Sequence, residues 1–212
     1  MRELWGVGTP RSVRPIWICE ELGFDYQHHA IGPRTGETQQ PAFTELNRKQ
    51  KIPFYRDSDV SLSESVAICR YVAHQSDGAI LYVPDTKQSV AKEDEWCAYI
   101  YGEIDETGLY VMRRHGDLGA IYGESPEVVS AAADYVARHL SVVASHLGEQ
   151  ESLMSGGFGL ADIVLMSCLD WCIAYGLALP AEIQRYYEIH AARPAYGRAM
   201  RINYPDLFGG DA

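Results

Sequence analysis

The spacing of apolar residues separates an alternating first third of the chain from a helical remainder. Four short apolar runs predict strands, at residues 3–7, 24–31, 52–56 and 60–63. Helical spacing predicts helices after the first, second and fourth of these strands, at residues 13–22, 41–46 and 64–74. Gly23 stands where a helix C-cap belongs, and Asp57-Ser58-Asp59 has the polar chemistry of a hairpin turn. The predicted order is β-α-β-α-β-β-α.

After residue 76 the pattern changes. Residues 77–87 are rich in Asp, Gly and Pro and are interpreted as a linker. Everything beyond them has helical spacing, beginning with one long segment from Val90 to about His115. We therefore predict an α+β protein, with an α/β domain at residues 1–76 and an all-helical domain at residues 88–212.

Two helices of the second domain have the clearest patterns. Ser125 suits a helix N-cap, Pro126 the first helical position and Gly148 the C-cap. The residues between them carry one uninterrupted apolar stripe. Leu160–Ala174 is apolar on nearly every face, which predicts a central, buried helix. Prolines then punctuate two shorter helices, at positions 180 and 194.

Composition limits the cellular compartment and the classes of binding partner that suit this chain. The 212 residues carry a formal net charge of -11, so nucleic acid is excluded as a main partner and an anionic membrane surface is disfavoured. Five cysteines, an odd number set mostly in apolar stretches, fit a reducing compartment better than a disulfide framework. No segment has the apolar run of a signal peptide or a membrane span. We expect a soluble cytoplasmic protein.

A metal site is not expected. Cys168 and Cys172 are spaced i, i+4 on the predicted central helix, and no His or further Cys joins them in sequence. Small buried thiols are common in cores, so these two are interpreted as packing residues.

Two segments of the first domain carry recognisable motifs, Asn47-Arg48-Lys49-Gln50-Lys51-Ile52-Pro53 and Glu64-Ser65-Val66-Ala67-Ile68-Cys69-Arg70-Tyr71. They resemble the Asn-Pro-x-Gly-Lys-Val-Pro and Glu-Ser-x-Ala-Ile-x-x-Tyr elements of the glutathione S-transferase family. Gly159-Leu160-Ala161-Asp162 and Arg193-Pro194-Ala195 are similar to the family's Ser-x-Ala-Asp and Arg-Pro-Ala elements. The resemblance covers nearly the whole chain. It implies a thioredoxin-like βαβαββα domain followed by an all-α helical bundle that supplies an electrophile pocket.

The sequence departs from the family's pattern at three positions. Gln50 replaces a usual glycine, and Gly159 replaces a helix-capping Ser or Thr. Thr9 falls where the phi and tau classes carry a catalytic serine. Because the N-terminal Tyr and the Cys of other classes are also missing, the subclass stays open.

The resemblance implies a catalytic turn between the first strand and the first helix. A helix N-terminus carries about half a positive charge and unpaired N–H donors, which favour a thiolate over a thiol. The hydroxyl of Thr9 would add a hydrogen bond to that anion. Ser12 is the rival hydroxyl, and Arg11 is a third candidate to face the thiolate. The alternative is that Thr9 only caps the helix.

The same resemblance implies how glutathione is held. Ile52, turned outward by a cis bond to Pro53, would pair with the cysteinyl backbone. Lys51 would lie near the glycyl carboxylate. Glu64 would pair with the γ-glutamyl ammonium, and Ser65, at a helix start, with the γ-glutamyl carboxylate.

The resemblance allows two alternative functions, an enzyme and a non-catalytic protein. The first is a glutathione transferase that uses glutathione as co-substrate, without metal, against a small hydrophobic electrophile by conjugation, displacement or ether cleavage. The alternative is a non-catalytic protein of the same fold that binds ligands or supports assembly. In both cases the resemblance implies a homodimer.

Overall fold

The computed structural model describes residues 1–76 and 80–208. They form four strands: β1 (Arg2–Trp5), β2 (Tyr26–His29), β3 (Phe54–Arg56) and β4 (Ser61–Ser63). The helices are α1 (Pro10–Leu22), α2 (Pro41–Leu46), α3 (Ser65–Ala73), α4 (Lys87–Tyr99), α5 (Tyr110–His115), α6 (Gly119–Tyr122), α7 (Pro126–Leu147), α8 (Leu160–Ala174), α9 (Ala181–Ala191), α10 (Pro194–Asn203) and α11 (Pro205–Phe208). A 3₁₀ turn, Glu37–Gln39, precedes α2, and a π-helical segment, Ile100–Leu109, joins α4 to α5.

The chain divides into two compact units whose limits differ from the predicted domains at the C-terminus. The first unit is Met1–Val83 together with the chain from Ala191 onwards, and the second is Pro84–His190. The sequence analysis placed everything from residue 88 in the helical domain. Of the predicted linker, residues 77–79 lie outside the described residues.

Helix α10 belongs to the first unit because its contacts are with α1. Arg193 precedes α10 and forms an ion pair with Glu21 of α1 at 2.7 Å. Arg198, one helical turn further, pairs with Glu20 at 2.7 Å. These partners are more than 170 positions apart in sequence, so no local pattern could indicate them.

The first unit is built on a mixed four-stranded sheet of order β2-β1-β3-β4. Strand β1 runs parallel to β2 and antiparallel to β3, and β3 runs antiparallel to β4. The predicted β-α-β-α-β-β-α order and the thioredoxin-like fold are confirmed, although each strand is shorter than the sequence suggested. A buried cluster of Trp5, Phe43 and Phe54 forms one part of the core.

The β3–β4 turn is held by the carboxylate of Asp57. Its Oδ1 accepts the N–H groups of Asp59 and Val60, at 2.9 and 3.0 Å. Its Oδ2 accepts the hydroxyls of Tyr55 and Tyr71, at 2.9 and 3.0 Å. Burial alone would raise the pKa of Asp57, but these donors lower it to about 2. The predicted hairpin turn is confirmed, and its first residue also ties the hairpin to α3.

The second unit contains the predicted long helix, with an interruption. The chain is helical from Lys87 to His115, but Ile100–Leu109 has π-helical hydrogen bonding. Helix α7 crosses close to this segment at Gly108, where a Cβ atom would lie 2.4 Å from Val136 Cγ2. The absence of a side chain at Gly108 therefore permits the approach of the two helices, which helical periodicity did not indicate.

Helices α7 and α8 follow the sequence prediction. Ser125 caps α7, Pro126 is its first residue and Gly148 ends it. Helix α8 buries most of its length and starts at the predicted residue, with Asp162 bracing it. The Asp162 carboxylate accepts the N–H groups of Leu153 and Gly159, both at 2.8 Å, and the Tyr186 hydroxyl at 2.7 Å. Burial raises the pKa of Asp162 to about 6, although these three donors lower it.

No helix within residues 1–76 and 80–208 is long and apolar enough to cross a membrane. The same described residues contain no group of three or more His, Cys, Asp and Glu side chains that could hold a metal ion. All five cysteines are buried thiols.

Candidate functional site

The sheet register brings three predicted segments to one edge. Trp5, Phe54 and Ser63 lie side by side in neighbouring strands. Strands β1 and β4 end at this row and β3 begins there, because β3 runs antiparallel to both. The chain therefore places the turn into α1, the residues before β3 and the start of α3 together at this edge of the sheet.

The turn into α1 is organised by a capping box. Thr9 is the N-cap, and its Oγ1 accepts the N–H of Ser12 at 2.9 Å. In return, Ser12 Oγ accepts the N–H of Thr9 at 3.1 Å. The side chain of Thr9 is half-buried. It therefore combines a hydroxyl with the positive end of a 13-residue helix at a position that a ligand can reach.

The rival hydroxyl is in a different environment. Ser12 is 1 % exposed, and its Oγ donates to Oδ1 of Asn203 at 2.7 Å. Asn203 Nδ2 donates in turn to the carbonyl oxygen of Thr9 at 2.9 Å. Arg11, the third candidate, is half-buried in the first turn of α1. Of the two hydroxyls, only that of Thr9 has access to the surface.

The Ile52–Pro53 peptide is cis, as the family resemblance implied. It lies against the turn into α1 at Gly6, where an added Cβ would come within 3.0 Å of Ile52 Cβ and 3.3 Å of Pro53 Cα. Gly6 also has a φ of +125°, which side-chain-bearing residues rarely adopt. Within the described residues, neither backbone polar group of Ile52 forms a hydrogen bond with the protein.

The loop that leads to Pro53 is shaped by a buried asparagine. Asn47 donates from Nδ2 to the carbonyl oxygen of Lys51 at 2.8 Å and accepts the N–H of Lys49 at 3.1 Å. The side chains of Lys49 and Lys51 are both exposed. Lys51, predicted to lie near a glycyl carboxylate, therefore sits beside Ile52 with its ammonium available to solvent.

The start of α3 carries the other two predicted residues. Glu64, just before the helix, has a φ of +75°, which is uncommon for a residue with a side chain and is associated with functional sites. Its carboxylate is exposed and pairs with Lys49 at 2.9 Å. Ser65 is buried, and its Oγ accepts a hydrogen bond from Arg14 Nη1 at 3.1 Å.

Two residues of this edge were missed in the sequence analysis. Arg14 is fully buried, and its guanidinium donates a hydrogen bond to Ser65 Oγ. Asn203 is fully buried and reaches the turn into α1 from the far end of the chain. Arg14 lies one helical turn after Pro10, the first residue of α1, and Asn203 precedes Tyr204-Pro205. Neither local sequence indicates such contacts.

The comparisons with known proteins agree with this fold. Residues 2–74 match the family model of the glutathione S-transferase N-terminal domain. Over 209 residues the chain is 30% identical to glutathione S-transferase 3 of Zea mays, covering 91% of this chain and 89% of that protein. It is 27% identical to glutathione S-transferase theta-1 of Rattus norvegicus over 158 residues, covering 73% of this chain and 66% of that protein. The chain belongs to the glutathione S-transferase family and is thereby a transferase enzyme.

Solved structures share the fold over nearly the full length. A glutathione transferase from Pseudomonas putida, solved with one glutathione disulfide bound per subunit, has a TM-score of 0.83 at 24% identity, covering 96% of this chain and 91% of that chain. A theta class glutathione S-transferase from Xanthomonas axonopodis pv. citri, solved with glutathione bound, has a TM-score of 0.77 at 24% identity, covering 93% of this chain and 96% of that chain.

Proposed function

We propose that this protein is a glutathione transferase in which the hydroxyl of Thr9 stabilises the glutathione thiolate. The observation that carries the proposal is the shared sheet edge: the start of α1, the Ile52–Pro53 peptide and the start of α3 all lie where Trp5, Phe54 and Ser63 are aligned. Thr9 Oγ1 already accepts the N–H of Ser12, so its own hydrogen can be donated to a sulfur anion.

Glutathione is held along this edge in the proposed complex. The free N–H and C=O groups of Ile52 pair with the cysteinyl backbone as a short added strand. Glu64 leaves its exposed pair with Lys49 to bind the γ-glutamyl ammonium. Ser65 and the N-terminus of α3 bind the γ-glutamyl carboxylate, with the buried Arg14 guanidinium adding positive charge. Lys51 lies near the glycyl carboxylate.

The proposed reaction is nucleophilic attack by sulfur. The thiol proton leaves to solvent, and the resulting anion accepts the Thr9 hydrogen bond at the positive end of α1. The sulfur lone pair then forms a bond to an electrophilic carbon of a small apolar substrate. With a substrate that has an activated double bond, the C–S bond forms as the π bond breaks, and the resulting anion takes a proton from solvent. With other substrates the C–S bond forms as a halide or an alkoxide departs. Ser12 is assigned a supporting role around Thr9 because it is buried. Arg11, half-buried in the first turn of α1, is assigned a supporting role there as well.

Two further expectations belong to this proposal. We propose that the enzyme is a homodimer, as the family resemblance implies. We also propose a cytoplasmic location, because all five cysteines are buried thiols, which suits a reducing compartment.

The experiment that tests the proposal combines catalysis and binding. Conjugation of glutathione to a panel of electrophiles is measured beside a calorimetric titration with glutathione. We expect turnover, and Thr9→Ala should lower kcat/KM at pH 6.5 by about 10- to 100-fold, because a hydrogen bond to a charged acceptor is worth about 1.5–3 kcal/mol. Glutathione binding without turnover against any electrophile would instead support the non-catalytic alternative.

A matched control comes from elsewhere in the chain. Thr86 caps α4 with the same hydrogen bonds as Thr9 but lies on an exposed surface of the second unit. Thr86→Ala should therefore leave kcat/KM unchanged, and Thr9→Ser should keep most of the activity since the hydroxyl is retained.

A further inference from the structure

Helix α10 ends in Asn203, whose backbone carbonyl and side-chain amide both bond to the turn into α1. The last four carbonyl groups of a helix have no partner within the helix. The carbonyl of Asn203, one of these, accepts the N–H of Gly8 at 2.8 Å. The side chain adds two more bonds, from Ser12 Oγ to Oδ1 at 2.7 Å and from Nδ2 to the Thr9 carbonyl at 2.9 Å. One fully buried residue thus holds the turn at three residues, Gly8, Thr9 and Ser12.

The hydrogen bond from Ser12 Oγ to Asn203 also determines whether Thr9 or Ser12 donates the hydrogen between their two hydroxyl oxygens. Ser12 has a single hydroxyl hydrogen, and the amide oxygen of Asn203 is its nearest acceptor at 2.7 Å. The carbonyl and Oγ1 of Thr9 lie further away, at 3.0 and 2.9 Å. With the Ser12 hydrogen on Asn203, the hydrogen between the two hydroxyl oxygens belongs to Thr9. Thr9 is then a donor whose hydrogen can turn from Ser12 Oγ to a bound sulfur.

We infer that Asn203 is a positioning residue for thiolate formation: it fixes the backbone of the turn and directs the Ser12 hydrogen away from Thr9. The inference rests on the proposed function of Thr9. Asn203 does not touch glutathione in this account, and it acts only through Gly8, Thr9 and Ser12. Helix α10 therefore contributes to the chemistry of a turn 194 positions earlier in the chain.

The test is the pH titration of the thiolate absorbance of bound glutathione, with kcat and KM measured over the same pH range. Asn203→Ala and Asn203→Leu both remove the two side-chain bonds, and Leu fills more of the space. We expect either variant to raise the pKa of the bound thiol by about 0.5–1 unit and to lower kcat/KM at pH 6.5 by about three- to tenfold. The KM for glutathione should change by less than twofold, and activity should recover at high pH.

Met200→Ala is the control for general loss of stability. Met200 is buried on the same helix, one turn before Asn203. This variant should lower the melting temperature while leaving the pKa of the bound thiol unchanged. An Asn203 variant that folds and titrates like wild type would overturn the inference, as would a Met200→Ala shift equal to that of Asn203→Ala.

The outcomes separate this inference from the proposed function. If wild-type protein binds glutathione and shows no thiolate at pH 8, the proposed function of Thr9 fails, whatever the Asn203 variants do. If wild type forms the thiolate and Thr9→Ala loses it, but both Asn203 variants keep it, only the positioning role fails.

Discussion

The same capping box occurs twice in this protein, at the start of α1 and at the start of α4. Thr9 Oγ1 accepts the Ser12 N–H at 2.9 Å, and Thr86 Oγ1 accepts the Ser89 N–H at 3.0 Å. The reciprocal bonds, from each Thr N–H to the Ser Oγ, are both 3.1 Å. The two boxes have the same residue types and nearly the same geometry, so neither can be assigned a function from its local structure.

The difference lies in what surrounds each box. Ser12 is 1 % exposed and bonded to Asn203, and the turn lies at the sheet edge beside the Ile52–Pro53 peptide. Thr86 lies on an exposed surface of the second unit. Among residues 1–76 and 80–208, the Ser89 hydroxyl bonds only to Thr86. A Thr-x-x-Ser pattern therefore specifies a helix start, while contacts with residues distant in sequence give each start its own environment.

A third helix start sharpens the comparison and gives the largest expected effect. At α8 the N-cap is Gly159, which has no side chain, and Asp162 alone supplies the side-chain acceptor. Its carboxylate accepts three donors at buried positions. We expect Asp162→Ala to lower the free energy of unfolding by about 3–5 kcal/mol, because each buried donor left without an acceptor costs about 1–3 kcal/mol. Urea unfolding at one protein concentration measures this. A loss below 1 kcal/mol would show that water replaces the carboxylate.

The pH dependence of this residue has a definite sign. Because the pKa of Asp162 is raised to about 6 in the folded protein, the folded state binds more protons than the unfolded state between pH 4 and 6. Its contribution to stability is therefore greatest near pH 4 and declines as the pH rises to 6. The stability of wild type relative to Asp162→Asn should fall by roughly 2–3 kcal/mol over this window. An unchanged difference would contradict the raised pKa.

The next largest effect on stability is expected at Ser12 and Ser89, the serines of the two capping boxes. Ser12→Ala leaves the Thr9 N–H and the buried Asn203 Oδ1 without a partner, so we expect a loss of about 2–3 kcal/mol in the free energy of unfolding. Ser89→Ala removes a similar bond that water can replace, and should cost less than about 1 kcal/mol. Equal losses in parallel urea titrations would show that Asn203 adds nothing to the α1 box.

These capping boxes also show which parts of the fold and of the candidate site could be predicted from the sequence. The pattern Ser125-Pro126 with Gly148 predicted α7 to the residue, since capping and amphipathic spacing are local. Thr9 was proposed as a site residue because it falls where the phi and tau classes of the family carry a catalytic serine, between a strand and a helix. Asn203 and Arg14 were missed because their contacts join positions 191 and 51 residues apart. Local propensity also gave no indication of the positive φ at Glu64, which the turn after β4 imposes.

The start of α3 extends the comparison to substrate binding. Ser65 and Glu64 are proposed to bind a part of glutathione that does not react. Ser65→Ala and Glu64→Ala should each raise the KM for glutathione about 5- to 20-fold and leave kcat within twofold, because uniform binding is lost. Steady-state kinetics at saturating electrophile measures this. A hundredfold loss of kcat with an unchanged KM would reassign these residues to the chemical step.

The smallest effect is expected at the exposed ion pair between Lys49 and Glu64. Lys49 and Glu64 are each 57% exposed, and exposed ion pairs contribute little to stability. Lys49→Ala should change the free energy of unfolding by less than about 0.5 kcal/mol, and it should change the KM for glutathione by less than twofold. A KM change as large as that of Glu64→Ala would show that Lys49 itself contacts the ligand.

The most direct measurement of the central claim is the pH titration of bound thiolate absorbance in Thr9→Ala and Thr86→Ala. Both variants lose the side chain of the same capping box, so any difference between them reports the environment of Thr9. We predict that Thr9→Ala raises the pKa of the bound thiol by about 1–2 units, and that Thr86→Ala leaves it within about 0.3 units of wild type. A Thr9→Ala titration that coincides with that of Thr86→Ala would contradict the assignment of Thr9.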